Sequence, residues 1–304
     1  MKKFLLWFLA FIIAAGTMVY QRLTGPTYPY KGKVEMDATL VKFEVPRSSV
    51  NTSDCEIAVD VPDSNISGYL EYKRYKTEDA WTKVPLERKD NTLTASLPAQ
   101  PMAGKLAYRV ILAKGEKSVS LSGENPIVIR FRGDVPIYVL IPHVLIMLLA
   151  LLFSTRAGLA ALDRKSDPGK YAKWAAVLFF ITGFILGPLM QYYGFGLLWS
   201  GFPLGHDLTD NKTLVAMIGW LIALFMMRRG KPARGWVLAA SILLLVVFLI
   251  PHSLLGSELD YSKMAPPATP PSTPPTMALS LSSRNVTVTL NVTGIGFPLM
   301  MTGS

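Results

Sequence analysis

Cysteine, histidine and charged residues are all scarce in this chain of 304 residues. Cys55 is its one cysteine, which excludes an intramolecular disulfide framework and any metal or redox site built on paired cysteines. We expect Cys55 to be a small buried residue, since free cysteine is among the most buried types. Charged residues make up 17% of the chain, whereas soluble domains carry about 25%. This balance argues against a purely cytosolic protein.

Long uncharged apolar runs are what the chain has instead. Crossing a bilayer needs about 20 apolar residues, and five runs reach or approach that length. They lie at roughly Phe4–Tyr20, Val135–Phe153, Trp174–Met190, Thr213–Met227 and Gly235–Pro251. None contains Asp, Glu, Lys or Arg, groups that ion-coupled transporters usually need at mid-depth. The runs therefore predict a multi-pass membrane protein and argue against transport.

The first run, residues 1–20, has two interpretations. A secretory signal has a basic start, a short apolar core and small residues before the cleavage site, and Ala14-Ala15-Gly16 would serve. The apolar stretch continues through Tyr20, however, which favours a signal anchor that is not cleaved.

The distribution of basic residues predicts the orientation. Residues 2 and 3 and the loops Ser154–Lys173 and Arg228–Arg234 together carry 11 basic and 2 acidic residues, whereas residues 21–134 carry 17 basic and 15 acidic. Because Lys and Arg are enriched in cytoplasmic loops, we expect a cytoplasmic N-terminus, with residues 21–134 and the C-terminal tail outside. The net charge of +10 then reflects topology, and nucleic-acid binding loses its main support. The compact basic loops are typical of a bacterial plasma (inner) membrane protein.

Between Lys33 and Arg132 the pattern changes to short alternating runs separated by turn residues, which is typical of an all-β sandwich. In the stretch from Gly68 to Tyr75, even-numbered and odd-numbered residues should lie on opposite faces. The predicted strands are Lys33–Val45, Cys55–Val61, Gly68–Tyr75, Trp81–Pro85, Thr92–Leu97, Lys105–Leu112 and Ile127–Arg132.

The stretch Ala103–Leu112 resembles the penultimate strand of fibronectin type III and related immunoglobulin-like domains. Tyr108 stands where such folds place a tyrosine whose hydroxyl bonds to nearby backbone. The resemblance implies the fold and carries over no functional residue. The region contains no histidine, and its carboxylates are interspersed with basic residues, which is typical of a solvated sheet surface.

The three histidines all fall on the outer side in this topology, and they define a polar rim together with nearby carboxylates. The rim residues are His143, His206, Asp207, Asp210, His252, Glu258 and Asp260. One hypothesis is a divalent metal site, zinc for example, with His206, Asp207, Asp210 and His252 as ligands. Glu258 would then complete the shell or act as a general base.

Three other interpretations of the rim stay open. His143 and His252 from neighbouring helices are candidate haem ligands. The rim could instead be structural, with Thr209, Asp210 or Asn211 capping a helix that begins near Thr213. A third hypothesis is a substrate or lipid-headgroup site without metal.

The C-terminal part divides into an outer Pro-rich linker, 252–276, and a short tail, 277–304, that is one strand or disordered. The sequence therefore predicts an α+β membrane protein in which an extracytoplasmic immunoglobulin-like sandwich (21–134) lies between a signal anchor and a bundle of four transmembrane helices (135–251). We expect a non-enzymatic envelope scaffold that contacts the lipid bilayer and binds a protein partner. The alternative is a membrane-bound metal-dependent enzyme, such as a hydrolase, with its site at the rim.

Overall fold

The apolar segments form six α-helices in a computed structural model that describes residues 2–37, 39–229, 233–251, 256 and 258–263. The helices are α1 (Lys2–Thr24), α2 (Ile137–Leu162), α3 (Gly169–Phe180), α4 (Gly187–Phe195), α5 (Leu208–Arg228) and α6 (Arg234–Leu249). A π-helical turn, Ile181–Leu186, joins α3 to α4. Of the helical segments in these residues, α1, α2, α3–α4 and α5 are long and apolar enough to cross a membrane. Helix α6 is apolar but has only 16 residues.

Most of the helices extend beyond the apolar runs that predicted them, and α2 and α5 do so into charged residues that become buried. Helix α2 continues to Leu162, so Arg156, assigned to a loop by the sequence, lies inside the helix and is only 2% exposed. Helix α5 begins at Leu208, so Asp210 and Lys212 are helical and buried. An apolar run stops at the first charge, whereas a helix continues wherever its backbone hydrogen bonds can form. These helices therefore contain charged residues that the apolar runs left out.

Small side chains occupy much of the core of the helical region. Ala150, Ala157, Ala175 and Ala216 are buried there in the same cluster as Trp220. Small residues let helix backbones approach closely, which strengthens packing between apolar helices. Helix α1 belongs to the same core, because Ala14 is fully buried within it.

Eleven short strands lie within the described part of residues 30–132, which we call the β region. The strands are β1 (Tyr30–Met36), β2 (Thr39–Val45), β3 (Ser48–Val50), β4 (Cys55–Asp60), β5 (Ser67–Arg74), β6 (Thr82–Pro85), β7 (Glu87–Lys89), β8 (Thr92–Leu97), β9 (Lys105–Lys114), β10 (Lys117–Ser120) and β11 (Ile127–Arg132). They form a hairpin, β1-β2, a larger sheet in the order β3-β11-β9-β5-β6, and a third sheet in the order β4-β8-β7. Strand β10 pairs with β9, and β3 pairs with β11 in parallel. The chain is thus a mixed α+β protein with several sheets, as predicted.

The predicted alternation in β5 is confirmed, since Leu70 is buried in the core while Tyr69 and Glu71 on the opposite face are half-buried. The predicted single strand Lys33–Val45 is wrong. It is divided into the hairpin β1-β2, whose turn contains Asp37 with a φ of 54°. Hydrophobic alternation continues across so tight a turn, and aspartate tolerates this left-handed conformation better than most residues.

One hydrophobic core collects side chains from all three sheets. Its fully or nearly fully buried members include Val41, Ile57, Leu70, Leu93, Leu106 and Phe131. Cys55 is buried, as predicted. The buried Tyr108 hydroxyl donates a hydrogen bond to the Pro46 carbonyl oxygen at 2.7 Å. The bond is to backbone, as expected, but to a residue 62 positions earlier in the chain.

After α6 the chain contacts the β region again. The Leu259 N–H donates to the Ala103 carbonyl at 3.2 Å, and a 3₁₀ turn, Tyr261–Lys263, follows. The Tyr261 hydroxyl accepts a hydrogen bond from the Lys105 N–H at 2.9 Å. Residues 258–262, which we call the C-terminal clasp, therefore bind at the start of β9. The sequence had placed them in a linker.

Candidate functional site

Asp210, a predicted metal ligand, organises the loop between α4 and α5. Its Oδ2 accepts hydrogen bonds from the backbone N–H of Ser200 (2.7 Å) and of Gly201 (3.0 Å), and from the Ser200 hydroxyl (3.2 Å). The adjacent Asn211 accepts from the Phe202 N–H at 2.6 Å. The side chain is 7% exposed. Asp210 thus holds a loop, which agrees with a structural role for this part of the rim.

Asp207 is the N-cap of α5, because its Oδ1 accepts a hydrogen bond from the Thr209 N–H at 2.7 Å. The prediction that Thr209, Asp210 or Asn211 caps a helix starting near Thr213 is wrong, since the helix starts one turn earlier.

Burial lowers the pKa of the Arg130 guanidinium, and the negative charges of Asp207 and Glu258 oppose that shift. The Asp207 carboxylate thus stabilises the charged form of Arg130 as well as the N-terminus of α5.

The three histidines have different surroundings. His206 is exposed. His143 lies beside the π-helical turn, where the Thr182 hydroxyl is 3.3 Å from the His143 Nδ1 atom and donates to its carbonyl oxygen at 3.2 Å. His252 lies outside the described residues. The structure therefore does not test the haem hypothesis or the fourth ligand of the metal hypothesis, because both need His252. Within the described residues, no group of three or more His, Cys, Asp or Glu side chains is placed to hold a metal ion.

Glu258, the predicted general base, lies in the C-terminal clasp between two lysines. Its Oε2 is 3.0 Å from the Lys76 Nζ and 3.4 Å from the Lys105 Nζ. Burial raises the pKa of the Glu258 carboxyl, but the two lysines outweigh it and hold the pKa below its usual value. The Asp260 carboxylate accepts from the Ser262 N–H at 3.0 Å. A carboxylate held ionised by two cations is a poor general base, so Glu258 serves docking better than proton transfer.

Sequence reasoning missed a pocket lined by four arginines, Arg22, Arg47, Arg130 and Arg132, with a volume of about 370 Å³. Thr27, Pro29, Pro46, Ser48 and Phe195 complete its wall. The signal was present in the sequence of β11, where Arg130 and Arg132 alternate with the core residues Ile129 and Phe131. It was hidden because arginines on a strand usually face solvent, and their neighbours come from distant segments.

A second missed feature is a face formed by β5, β6, β9 and the residue before β6, on which aromatic rings and cations alternate. The Lys83 Nζ lies 4.9 Å from the centre of the Tyr69 ring. The Trp81 ring has the Arg109 guanidinium at 4.8 Å and the Lys73 Nζ at 5.5 Å. Between them, Glu71 stands opposite Lys83 on one neighbouring strand and opposite Arg109 on the other. We call these six residues the aromatic–cation face.

Compared with known proteins, the chain matches no protein-family model and no curated protein sequence. What the described residues define is a mixed α+β protein with four helices that could span a membrane and a β region joined to them.

Proposed function

We propose that this chain is a multi-pass protein of a plasma (inner) membrane that displays an immunoglobulin-like sandwich outside the cytoplasm and binds a protein partner with it. The observation that carries the proposal is the aromatic–cation face. Membrane insertion is supported by the four long apolar helices. The orientation is supported by the excess of Lys and Arg in the two short loops after α2 and α5.

The strand order supports the immunoglobulin-like fold. A constant-type immunoglobulin domain has one sheet with strands B, E and D and another with C, F and G. Here β4-β8-β7 matches the first order, and β5-β9-β11 matches the second. Tyr108 lies in β9, the equivalent of strand F, where the resemblance had placed it.

The packing of α1 supports a retained anchor over a cleaved signal. Ala10, Ala14 and Thr17 are buried along one face of the helix. One turn further on, the Gln21 Nε2 donates to the Phe248 carbonyl in α6 at 2.8 Å. Cleavage after the Ala14-Ala15-Gly16 triplet would remove most of this contact. We therefore expect the intact mass of the purified protein to include residues 1–24.

The orientation is tested with a membrane-impermeant thiol reagent on intact cells. The test uses a Cys55→Ser protein that carries either His206→Cys or Lys165→Cys. Both native side chains are exposed. We expect labelling at position 206 in intact cells, and at position 165 only after the cells are broken. The reverse pattern would invert the topology and place the β region in the cytoplasm.

The composition of the aromatic–cation face is that of a protein-binding surface. Tyr, Trp and Arg are enriched among the residues that dominate interface energies. Trp81, Tyr69 and Arg109 are half-buried on a sheet surface, so they present rigid area to a partner at little further entropic cost. With three cations and one carboxylate, the face suits a partner whose contact surface is acidic.

A charge reversal tests this function. Lys83→Glu places a negative charge on the face, and Lys42→Glu places the same charge on β2 outside it; both lysines are exposed. Crosslinking in intact membranes, followed by mass spectrometry, should recover one envelope protein with the wild type and with Lys42→Glu, and lose it with Lys83→Glu. Equal recovery from both variants would refute the assignment of the face.

The metal-dependent enzyme stays the alternative hypothesis, because one of its proposed ligands, His252, lies outside the described residues. Metal analysis of detergent-purified protein tests it. Stoichiometric zinc that is lost in the double variant His206→Ala/His252→Ala would establish the site. Wild-type protein without bound metal after purification in zinc-containing buffer would exclude it.

A further inference from the structure

The four-arginine pocket is assembled by strand pairing. In β11, Arg130 and Arg132 lie on one face, because Ile129 and Phe131 between and beside them face the core. The parallel partner β3 places Ser48 opposite Arg130, so Arg47 lies immediately next to this pair, and its carbonyl accepts a hydrogen bond from the Arg130 N–H at 3.1 Å. Three guanidinium groups are thus brought together by backbone hydrogen bonds.

The fourth arginine and the remaining wall come from the helical region. Arg22 is in the last turn of α1, and Phe195 is the last residue of α4. The Arg130 guanidinium lies 3.9 Å from the centre of the Phe195 ring. The pocket therefore lies where the β region meets the ends of two apolar helices, which in the proposed topology is the level of the outer lipid headgroups.

The charged residues that line the pocket are all cations. The lining contains four arginines and no carboxylate. The negative charges of Asp207 and Glu258 act on Arg130, but neither residue is part of the wall. Among the described residues, Arg22 and Arg47 have no ion pair, and the Arg132 Nη1 donates only to the Gly133 carbonyl at 3.1 Å. The like charges of these arginines repel one another, and an anion bound between them would offset that repulsion.

We propose that the four-arginine pocket binds the phosphate group of an anionic ligand. Arginine presents a planar fork of N–H donors that matches phosphate oxygens in pairs, and it stays charged when buried. A volume of about 370 Å³ is larger than a bare phosphate needs and leaves room for the group it esterifies. The ligand is a phospholipid headgroup or a soluble phosphate ester, and both offer the same chemistry. This inference is independent of the aromatic–cation face.

The test uses the full-length protein in detergent and three probes: phosphatidylglycerol, phosphatidylcholine and glycerol 3-phosphate. The test variant is Arg47→Gln/Arg132→Gln. The matched control, Lys33→Gln/Lys42→Gln, removes two charges from a cross-strand pair in β1 and β2. Binding is measured by native mass spectrometry and by the shift of the melting temperature with each probe. Arg47→Gln alone is included because the Arg47 side chain has no hydrogen bond with a described residue, so its loss should not impair folding.

We expect wild type and control to bind phosphatidylglycerol in preference to phosphatidylcholine, and the double arginine variant to bind it about tenfold or more weakly, the cost of losing charge-assisted hydrogen bonds. If the protein binds phosphatidylglycerol but not glycerol 3-phosphate, the pocket is assigned to a lipid headgroup. If it binds glycerol 3-phosphate but not phosphatidylglycerol, the pocket is assigned to a soluble phosphate ester. Equal affinity of the wild type and both arginine variants for all three probes would overturn the proposal.

Discussion

Single side chains join segments that are far apart in the chain. The Tyr108 hydroxyl joins β9 to Pro46, the residue just before Arg47 of the four-arginine pocket. Arg156 lies between aromatic rings, with its guanidinium 4.4 Å from the centre of the Tyr171 ring and 5.6 Å from that of Trp7 in α1. Both side chains are buried, so a substitution at either position should change stability more than the same substitution at an exposed residue.

Tyr108→Phe should destabilise the β region by about 1–3 kcal/mol, because it leaves the Pro46 carbonyl without its buried partner. Tyr69→Phe removes the same atom from a half-buried residue without a hydrogen bond to a described residue, and it should have almost no effect. Thermal unfolding of the two variants beside the wild type checks the difference. Similar melting temperatures for both variants would mean that the Tyr108 bond contributes nothing.

Arg156→Met should be neutral or stabilising, whereas Arg156→Ala should cost about 2–4 kcal/mol. Within the described residues, the Arg156 Nε and Nη1 atoms are buried and have no hydrogen-bond partner. Methionine keeps much of the packing volume and removes these two unpaired nitrogen groups, whereas alanine leaves a cavity. Thermal unfolding in detergent distinguishes the two, with exposed Arg164→Ala as the control. A methionine variant as unstable as the alanine variant would show that the charge itself stabilises the fold.

Secondary-structure elements show how far the sequence predicts this fold. Period-2 alternation located β4, β5 and β8 closely, since each has one core face and short polar ends. The very short strands β3, β7 and β10 were missed, because three or four residues carry too little pattern. The C-terminal clasp was missed for a different reason. Its contacts to β9 are made by Tyr261 and Glu258 side chains in a stretch without periodicity.

The prediction of the candidate sites had the same limit, because a sequence pattern shows only residues that are close in the chain. The rim was predicted from residues clustered in sequence, and the structure places Asp207 at the cap of α5 and Asp210 in its first turn, where it holds the preceding loop. The four-arginine pocket gathers residues from α1, β11, α4 and the segment before β3, which no local pattern connects. The π-helical turn next to His143 was also not predicted. There the Gly187 N–H reaches back five residues to the Thr182 carbonyl, and Pro188 has no N–H with which to continue an α-helical pattern.

Ala14→Leu should separate α1 from the helical region, because Ala14 is fully buried and a larger side chain has no space there. Ala15→Leu makes the same change one position around the helix, where the side chain is half-buried, and should be tolerated. We expect Ala14→Leu to lower the melting temperature in detergent and to raise cleavage of the first segment by signal peptidase. If Ala15→Leu were equally damaging, the effect would come from hydrophobicity and not from packing.

At the scale of the whole molecule, three segments of the chain connect the β region to the helical region. The chain enters it from α1 and leaves it directly into α2, and the C-terminal clasp returns to it after α6. The clasp combines the Leu259 backbone bond, the Tyr261 hydroxyl and the ion pairs of Glu258 with Lys76 and Lys105. The β region is therefore fixed relative to the helices, and an orientation set in this way would present the aromatic–cation face consistently to a partner.

The clasp should open at acid pH. The two lysines hold the pKa of Glu258 below its ordinary value of 4.5, so the ionised form stabilises the docked state. That stabilisation is fully present above pH 4.5 and is lost as the pH falls through the lower pKa of the docked state. Hydrogen exchange at the Leu259 amide, corrected for its intrinsic pH dependence, should therefore accelerate below about pH 4.

In Glu258→Gln the exchange should be faster at pH 7 and nearly independent of pH, whereas Glu78→Gln, which changes an exposed neighbour, should behave as the wild type. A clasp that stays equally protected at pH 3 and pH 7 would show that Tyr261 and the backbone bond hold it without the ion pairs.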